Sequence, residues 1–273
     1  KRTPDDSAAR KPANAKGGSE HTVWRWQARA AQWLDFPLGR FLDYGCGRCA
    51  SLKKVHDRCD ECHGVDVNDD VIAGVQEQFP EFTLSVIDQS GRTTYADGFF
   101  DTVALVEVIE HVPDERRTLG EIARILKPNG TLILTTPHKG ALTFLDLGNF
   151  KFIFPTVHRF IHVVVLRNRR YYQERFVRTR DVGLVGDISE SSAHKPAEIV
   201  DFCPPDLRLE RYAVYFPGMR AFMLLSAVLR VVTAGLIRHL PWPLSAIERA
   251  LSKLQSRTGD QLVMRFTKVA ATP

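Results

Sequence analysis

Long apolar runs are missing from this chain. No stretch of roughly 18 or more uncharged apolar residues occurs, which argues against a helix that spans a bilayer. The nearest approach, 221–237, is interrupted by Arg230. An apolar leader is missing too: residues 1–20 are polar, with scattered Pro, Gly, Ser and Lys. They read as a disordered tail without a secretory signal. Sulfur is scarce, with five Cys and three Met in 273 residues. Unpaired cysteines fit a reducing compartment, so the expected location is cytoplasmic, with peripheral contact at the inner face of the membrane.

Four of the cysteines form two Cys-x-x-Cys pairs, Cys46/Cys49 and Cys59/Cys62, the spacing of a four-thiolate zinc site. Local structure argues against that site. Cys46 falls in the turn after one strand, and Cys62 lies four residues before Asp66 on the next. At about 3.3 Å per residue the two are more than about 10 Å apart. Structural cysteines, and no metal, are the expectation.

What remains is an ordinary globular composition, 44% hydrophobic and 25% charged. The +5 net charge is unevenly spread. Residues 1–138 carry 17 Lys+Arg against 21 Asp+Glu, and residues 139–273 carry 20 against 11. The basic second half suits an anionic surface, whether lipid, nucleic acid or phosphorylated substrate, or it is a solvated Arg-rich face.

Residues 21–34 have helical composition, with Trp26, Ala30 and Trp33 on one face. Strands and helices then alternate. Strands are expected at Arg40–Tyr44, Cys62–Val67, Phe82–Ile87, Phe100–Val108 and Thr131–Thr136. Helices are expected at Arg48–Asp57, at Asp69–Phe79 with a cap near Asn68, and at Pro113–Leu126 with Pro in the first turn. The run Val103–Val106 is that of a strand buried on both faces. A helix at Pro196–Phe202 and strands at Leu207–Tyr215 and Leu262–Ala270 follow. The pattern gives an α/β, three-layer Rossmann-like fold with a mostly parallel seven-stranded sheet and helical crossovers. Two inserts interrupt it, 138–193, rich in aromatic and basic residues, and 216–260, apolar around 222–236. Residues 21–273 read as one domain with its cofactor core at 36–137.

In such a sheet the ligand sits at the carboxyl ends of the strands. Asp43, Asp66, Asp88 and Glu107 all fall on that edge. Gly45 and Gly47 let the backbone turn and approach a ligand. Gly45-x-Gly47-x-x-Ala50 also satisfies the dinucleotide fingerprint. Two acids discriminate between cofactors: Asp43, ahead of the glycines, would oppose a pyrophosphate but suits an ammonium, and Asp88 is placed for an adenine amino group.

The ordered set Phe41–Gly47, Gly64–Asn68, Val86–Gln89, Phe100–Val103, Glu107–Val112 and Leu126–Thr131 resembles the class I S-adenosylmethionine-dependent methyltransferase family. The run Glu107–Val112 is similar to the branch acting on small molecules, quinones and bacterial glycans. The resemblance implies S-adenosyl-L-methionine as cofactor. It implies that the backbone of Asp43, Tyr44, Gly45, Cys46 and Gly47 holds the methionine part and that Asp66 takes the ribose hydroxyls. It implies further that Val67 packs on adenine, that Asp88 and Gln89 border the adenine amino group, and that Glu107 lines the methionine end. The family often has a third glycine where Cys49 stands.

Methyl transfer needs a base only when the acceptor must lose a proton. His111, His194 and His138 are the candidates, in that order, each with a structural alternative. Glu110 reads as a helix-start charge. The acceptor is expected to be a small or lipid-linked molecule, sugar or isoprenoid-like, and nucleic acid ranks low. The segment 218–240 reads either as an interfacial helix on a membrane or as a helix covering the sheet. The alternatives are a nicotinamide-dependent oxidoreductase and a catalytically dead cofactor-binding regulatory subunit.

Overall fold

A computed structural model describes residues 30, 32–34, 36–88, 90–139, 193–216, 254–257 and 259–270, with scattered positions within 155–169 and 225–250. Residues 1–20, Trp26, Gln89 and most of both inserts lie outside the described residues.

Seven strands form one sheet: β1 Gly39–Tyr44, β2 Cys59–Asp66, β3 Thr83–Val86, β4 Phe100–Val106, β5 Leu126–Pro137, β6 Leu207–Tyr215 and β7 Gln261–Lys268. Their order is β3-β2-β1-β4-β5-β7-β6. The first five pair in parallel, while β7 runs antiparallel to both β5 and β6. The strand order reverses between β1 and β4, so a crevice opens at their carboxyl ends.

Neighbouring residues on each central strand point to opposite faces. Leu42, Leu105, Leu134 and Met264 enter one buried cluster. Phe41, Ala104, Ile133 and Val263, their immediate neighbours, enter the other. Both faces are thus covered, the condition for a parallel sheet. β4 shows it most fully, with Phe100, Val103, Ala104 and Leu105 all sealed from solvent.

The helices are α1 Leu52–Val55, α2 Asp69–Gln78, α3 Glu115–Ile125, α4 Pro155–Phe160 and α5 Pro196–Phe202. α2 starts where Asn68 Oδ1 accepts from the Val71 amide at 3.0 Å. α3 is capped by Asp114, whose Oδ1 accepts from the Arg117 amide at 2.9 Å. Pro113 therefore precedes the cap instead of entering the first turn. α3 buries Leu119, Ile122 and Ala123 on the first cluster. Ala30, Trp33 and Leu34 pack in the second, where Trp33 Nε1 donates to Tyr215 Oη at 3.0 Å.

Three local expectations need correction. The helix expected over Arg48–Asp57 shrinks to α1 and a 3-10 turn, His56–Arg58. Gly47 and Cys49 both hold positive φ, +47° and +57°, which breaks a helical path. Among the described residues no helix links β3 to β4; residues 87–88 and 90–99 cross without one, pinned by a charged clasp. There Arg124 donates to Glu121 at 2.7 Å, to the Tyr95 carbonyl at 2.8 Å and to Asp97 at 2.6 Å. Glu121 in turn accepts from the Thr93 amide at 2.8 Å. Finally, β5 starts at Leu126 directly after α3, and Lys127–Gly130 bulges out, because the register jumps from Phe100↔Leu126 to Thr102↔Thr131.

Phe100 is fully buried against His63, Tyr95 and Phe99. Phe100→Ala should destabilise the fold by about 3–5 kcal/mol, measured by urea unfolding.

Candidate active site

The crevice is built first by the loop after β1. The Val65 carbonyl accepts from the amides of Gly45 at 2.8 Å and Cys46 at 2.9 Å, which ties the loop to β2. Gly45 has φ +80°, and a Cβ there would meet Val108 Cγ2 at 2.4 Å, so only glycine fits. Gly47 differs: a Cβ there would meet nothing within 4 Å. Its amide donates to Asp66 Oδ2 at 2.8 Å, and Asp66 Oδ1 accepts from the Asn68 amide at 3.0 Å. Asp66 thereby bridges the loop and the start of α2. Cys49 holds its positive φ fully buried. For a residue with a Cβ this costs roughly 1–2 kcal/mol, which explains why glycine suits the position.

The other residues expected around the cofactor are spread along this edge. Tyr44 Oη donates to the Gly91 carbonyl, reaching under the loop after β3. Val67 is partly buried against the first cluster. Asp88 is exposed, and its Oδ1 accepts from the Ser90 amide at 2.8 Å, holding a turn. Those bonds keep its carboxyl below the usual range. Gln89 lies outside the described residues. The thiols of Cys46, Cys49, Cys59 and Cys62 are free, and the Cys49 contact with burial keeps Cys46 protonated.

Three carboxyls in the crevice are pushed upward by burial. Asp43 is buried, and burial pushes its carboxyl up to about 7, opposed by a hydrogen bond from Ser51 and reinforced by the Asp66 charge. Glu107 sits at the end of β4 with φ +56°. Burial pushes it also to about 7. Its Oε1 accepts from Thr135 Oγ1 at 2.7 Å and from Gln261 Nε2 at 3.3 Å. Its Oε2 is sealed from solvent and accepts no hydrogen bond. Glu110 lies in the first turn of the 3-10 helix Ile109–His111, where a helix-start charge is expected, and it is buried there. Burial, then the Glu107 charge, raises its carboxyl well above the usual range.

The histidines separate into three situations. His111 Nε2 lies 3.9 Å from Glu110 Oε1, at the rim of the acidic pair. Thr136 Oγ1 joins the pair to His194: it lies 3.2 Å from Glu110 Oε2 and 3.5 Å from His194 Nδ1. His194 is buried, which lowers its pKa, while its Nε2 lies 3.7 Å from Glu115. His138 bonds through Nδ1 to the Gly259 carbonyl at 2.8 Å, and its backbone bridges that of His194, a structural setting.

Glu110, Ser51, Thr135, Thr136 and Gln261 belong to this arrangement although sequence reasoning gave none of them a place in it. Glu110 carried a signal, since it lies three residues beyond Glu107 at the end of a buried strand. Gln261 carried none, because only the antiparallel pairing of β7 on β5 brings it to Glu107.

Comparison with known proteins agrees with this architecture. Residues 42–134 match the family described as Methyltransferase domain. The ubiquinone biosynthesis O-methyltransferase of Methylococcus capsulatus is 29% identical over 108 residues, 38% of this chain and 46% of that protein. The phosphoethanolamine N-methyltransferase 2 of Caenorhabditis elegans is 30% identical over 112 residues, 39% of this chain and 26% of that protein. The chain spans about half the length of the first of these relatives. Among solved structures, the candidate methyltransferase bound to the Trm112 methyltransferase activator of Haloferax volcanii superposes with TM-score 0.53 at 15% identity, covering 92% of each chain. The [4+2]-cyclase SpnF superposes at 0.51 and 15% identity, over 94% of this chain and 84% of its own. The fold is thus the α/β fold of class I methyltransferases, and residues 42–134 are similar to the methyltransferase-domain family. The cofactor of that class is S-adenosyl-L-methionine.

An acid whose folded pKa is raised stabilises the fold below its unfolded value and loses that contribution as pH rises through the folded one. For Asp43 and Glu107 the window runs from their ordinary values, 3.8 and 4.5, to about 7. Without cofactor, the thermal midpoint should fall between pH 5 and pH 7.5. Asp43→Asn should flatten that fall by on the order of a few kcal/mol, read by thermal unfolding at both pH values.

Proposed function

We propose that this chain transfers a methyl group from S-adenosylmethionine to a small or lipid-linked acceptor, by in-line displacement. One observation carries this reading: among the described residues the crevice is acidic, with Asp43 and Glu110 buried and Glu107 Oε2 sealed from solvent. No Lys or Arg among the described residues figures in the ionisation of Asp43, Glu107 or Glu110. A pyrophosphate would meet repulsion there, which weighs against the nicotinamide reading. A ligand bearing an ammonium and a sulfonium would relieve the buried acids instead.

The residues fit that cofactor. The open space beside Gly47 leaves room for a ligand against the backbone of Asp43–Gly47. Asp66 is already oriented by two amides, with lone pairs left for two hydroxyls. Val67 and Asp88 border the adenine region, and Glu107 the methionine end. When bound, the cofactor supplies a methyl group activated on sulfur. The chain's part is then to orient the acceptor and exclude water. Where the acceptor must lose a proton, His111 beside Glu110, or His194 linked to it through Thr136, is placed to take it.

The two curated relatives methylate oxygen and nitrogen by their names, so the acceptor atom is open between them. A lipid-linked acceptor, sugar or isoprenoid-like, is favoured by apolar side chains left in solvent within a basic half-chain. Leu225, Val228 and Val232 are exposed at helical spacing, and so are Phe160 and Val164. Among the described residues no helix is long and apolar enough to cross a membrane, so the contact would be peripheral.

Two measurements test this. Calorimetry should find binding of S-adenosylmethionine but not of nicotinamide dinucleotides, and Asp66→Ala should weaken it by about 10–100-fold. The reverse preference would overturn the reading. Co-sedimentation with anionic liposomes should drop when residues 218–240 are deleted, and identical partitioning would remove the membrane contact.

A further inference from the structure

Glu107 and Glu110 are two buried carboxyls on one short turn. Glu107 directly follows β4, and Glu110 lies on the 3-10 turn Ile109–His111 that begins two residues later. The two face each other closely enough that each changes the other's ionisation. Among the described residues the groups around them are neutral or weakly basic. β5 offers the Thr135 and Thr136 hydroxyls, and β7 offers the Gln261 amide. His111 lies 3.9 Å from Glu110 at the rim. His194 is reached only through Thr136, and beyond it stands Glu115, a second acid. Two carboxylates confined together without a facing cation cannot both ionise cheaply. One oxygen, Glu107 Oε2, is left buried without a hydrogen bond. Val108, the next residue, touches the place where a Gly45 side chain would stand. The pair therefore adjoins the loop that the cofactor reading assigns to the methionine part.

Resting on that reading, we infer that Glu107 and Glu110 act as a two-carboxyl, one-proton pair that gives up its proton when the cationic cofactor binds. In the unloaded protein above about pH 7, Glu110 carries the proton and Glu107 the charge, and Glu107 Oε2 is the acceptor kept for an incoming cation. When a positive group arrives, the Glu110 O–H bond breaks heterolytically and its proton passes to the buffer. The two carboxylates then face the cation, and the site carries one more negative charge than before. Cofactor affinity consequently rises with pH across the neutral range, and the loaded site gains a carboxylate able to take a proton from an acceptor.

The test is isothermal calorimetry with S-adenosylmethionine at pH 7.5, above the value of about 7 for Glu107 and Asp43, in two buffers of different ionisation enthalpy. The difference in heat counts protons released per cofactor bound. The wild type should release more than about half a proton per site. Glu110→Gln keeps a neutral, hydrogen-bonding group at the position and should still bind, with release cut at least twofold. Glu107→Gln should cut release likewise, and if it loses binding, Glu110→Gln alone carries the test. Asp43→Asn should leave most of the release in place. Unchanged release in both Glu variants overturns the inference, as does release that vanishes only in Asp43→Asn. Binding that requires an added divalent cation and is lost to a chelator also overturns it, because the pair would then be ligands. A wild type that binds S-adenosylmethionine without releasing protons refutes the pair but leaves the cofactor reading standing. A wild type that binds no S-adenosylmethionine refutes both.

Discussion

Everything at the carboxyl edge depends on β1 lying in parallel register between β2 and β4. That register sets Asp43 opposite Gly64 and Ala104 and delivers the Val65 carbonyl to the Gly45 and Cys46 amides. The loop can then turn back only with φ positive at Gly45, and Val108 fills the space a side chain would need. Asp66, one residue past Val65, receives the Gly47 amide from the same loop. A slip of one residue would turn Leu42 and Asp43 to opposite faces, burying the charge in the apolar core. The apolar cores on both faces therefore fix the acids at the edge as well as the fold.

Electrostatics sets the character of that edge. Elsewhere acids are answered by cations: Asp101 lies 2.7 Å from Lys127, and Glu121 is held by Arg124. The cations beside Asp101 and Glu121 hold both carboxyls below the usual range. In the crevice the opposite holds, with burial dominating and pushing Asp43, Glu107 and Glu110 upward. This division between framework acids and crevice acids is a physical reason to place the ligand there. It goes further than the fold alone, which SpnF shares.

The core was legible because its signals are local or periodic. Continuous apolar runs marked β4 and β5, Asn68 marked the start of α2, and Pro196 opened α5. The glycine loop and Asp66 were legible by their spacing. The losses have physical causes. The short α1 was hidden because nothing in Arg48–Asp57 announces that Cys49 takes a left-handed backbone. The helix-free link from β3 to β4 was hidden because it is held by Arg124 and Glu121 from a distant helix, not by its own residues. Glu110 read as a helix-start charge, and its burial was hidden because burial of a turn depends on β5 and on His194 arriving from far along the chain. The roles of both inserts stay with composition, as most of their residues lie outside the described set.

The buried thiols of the glycine loop have a kinetic consequence. Cys46 is 5% exposed and Cys49 is fully enclosed, while Cys59, Cys62 and Cys203 are only partly covered. A maleimide or similar reagent can reach Cys49 only while the loop and α1 are lifted off the sheet. Its labelling rate is therefore a clock for that opening, read against the faster partly covered thiols in the same molecule. Any ligand that seats against Gly47 and Asp66 would slow this clock, so the chain carries its own occupancy gauge in the residue that stands where glycine is common.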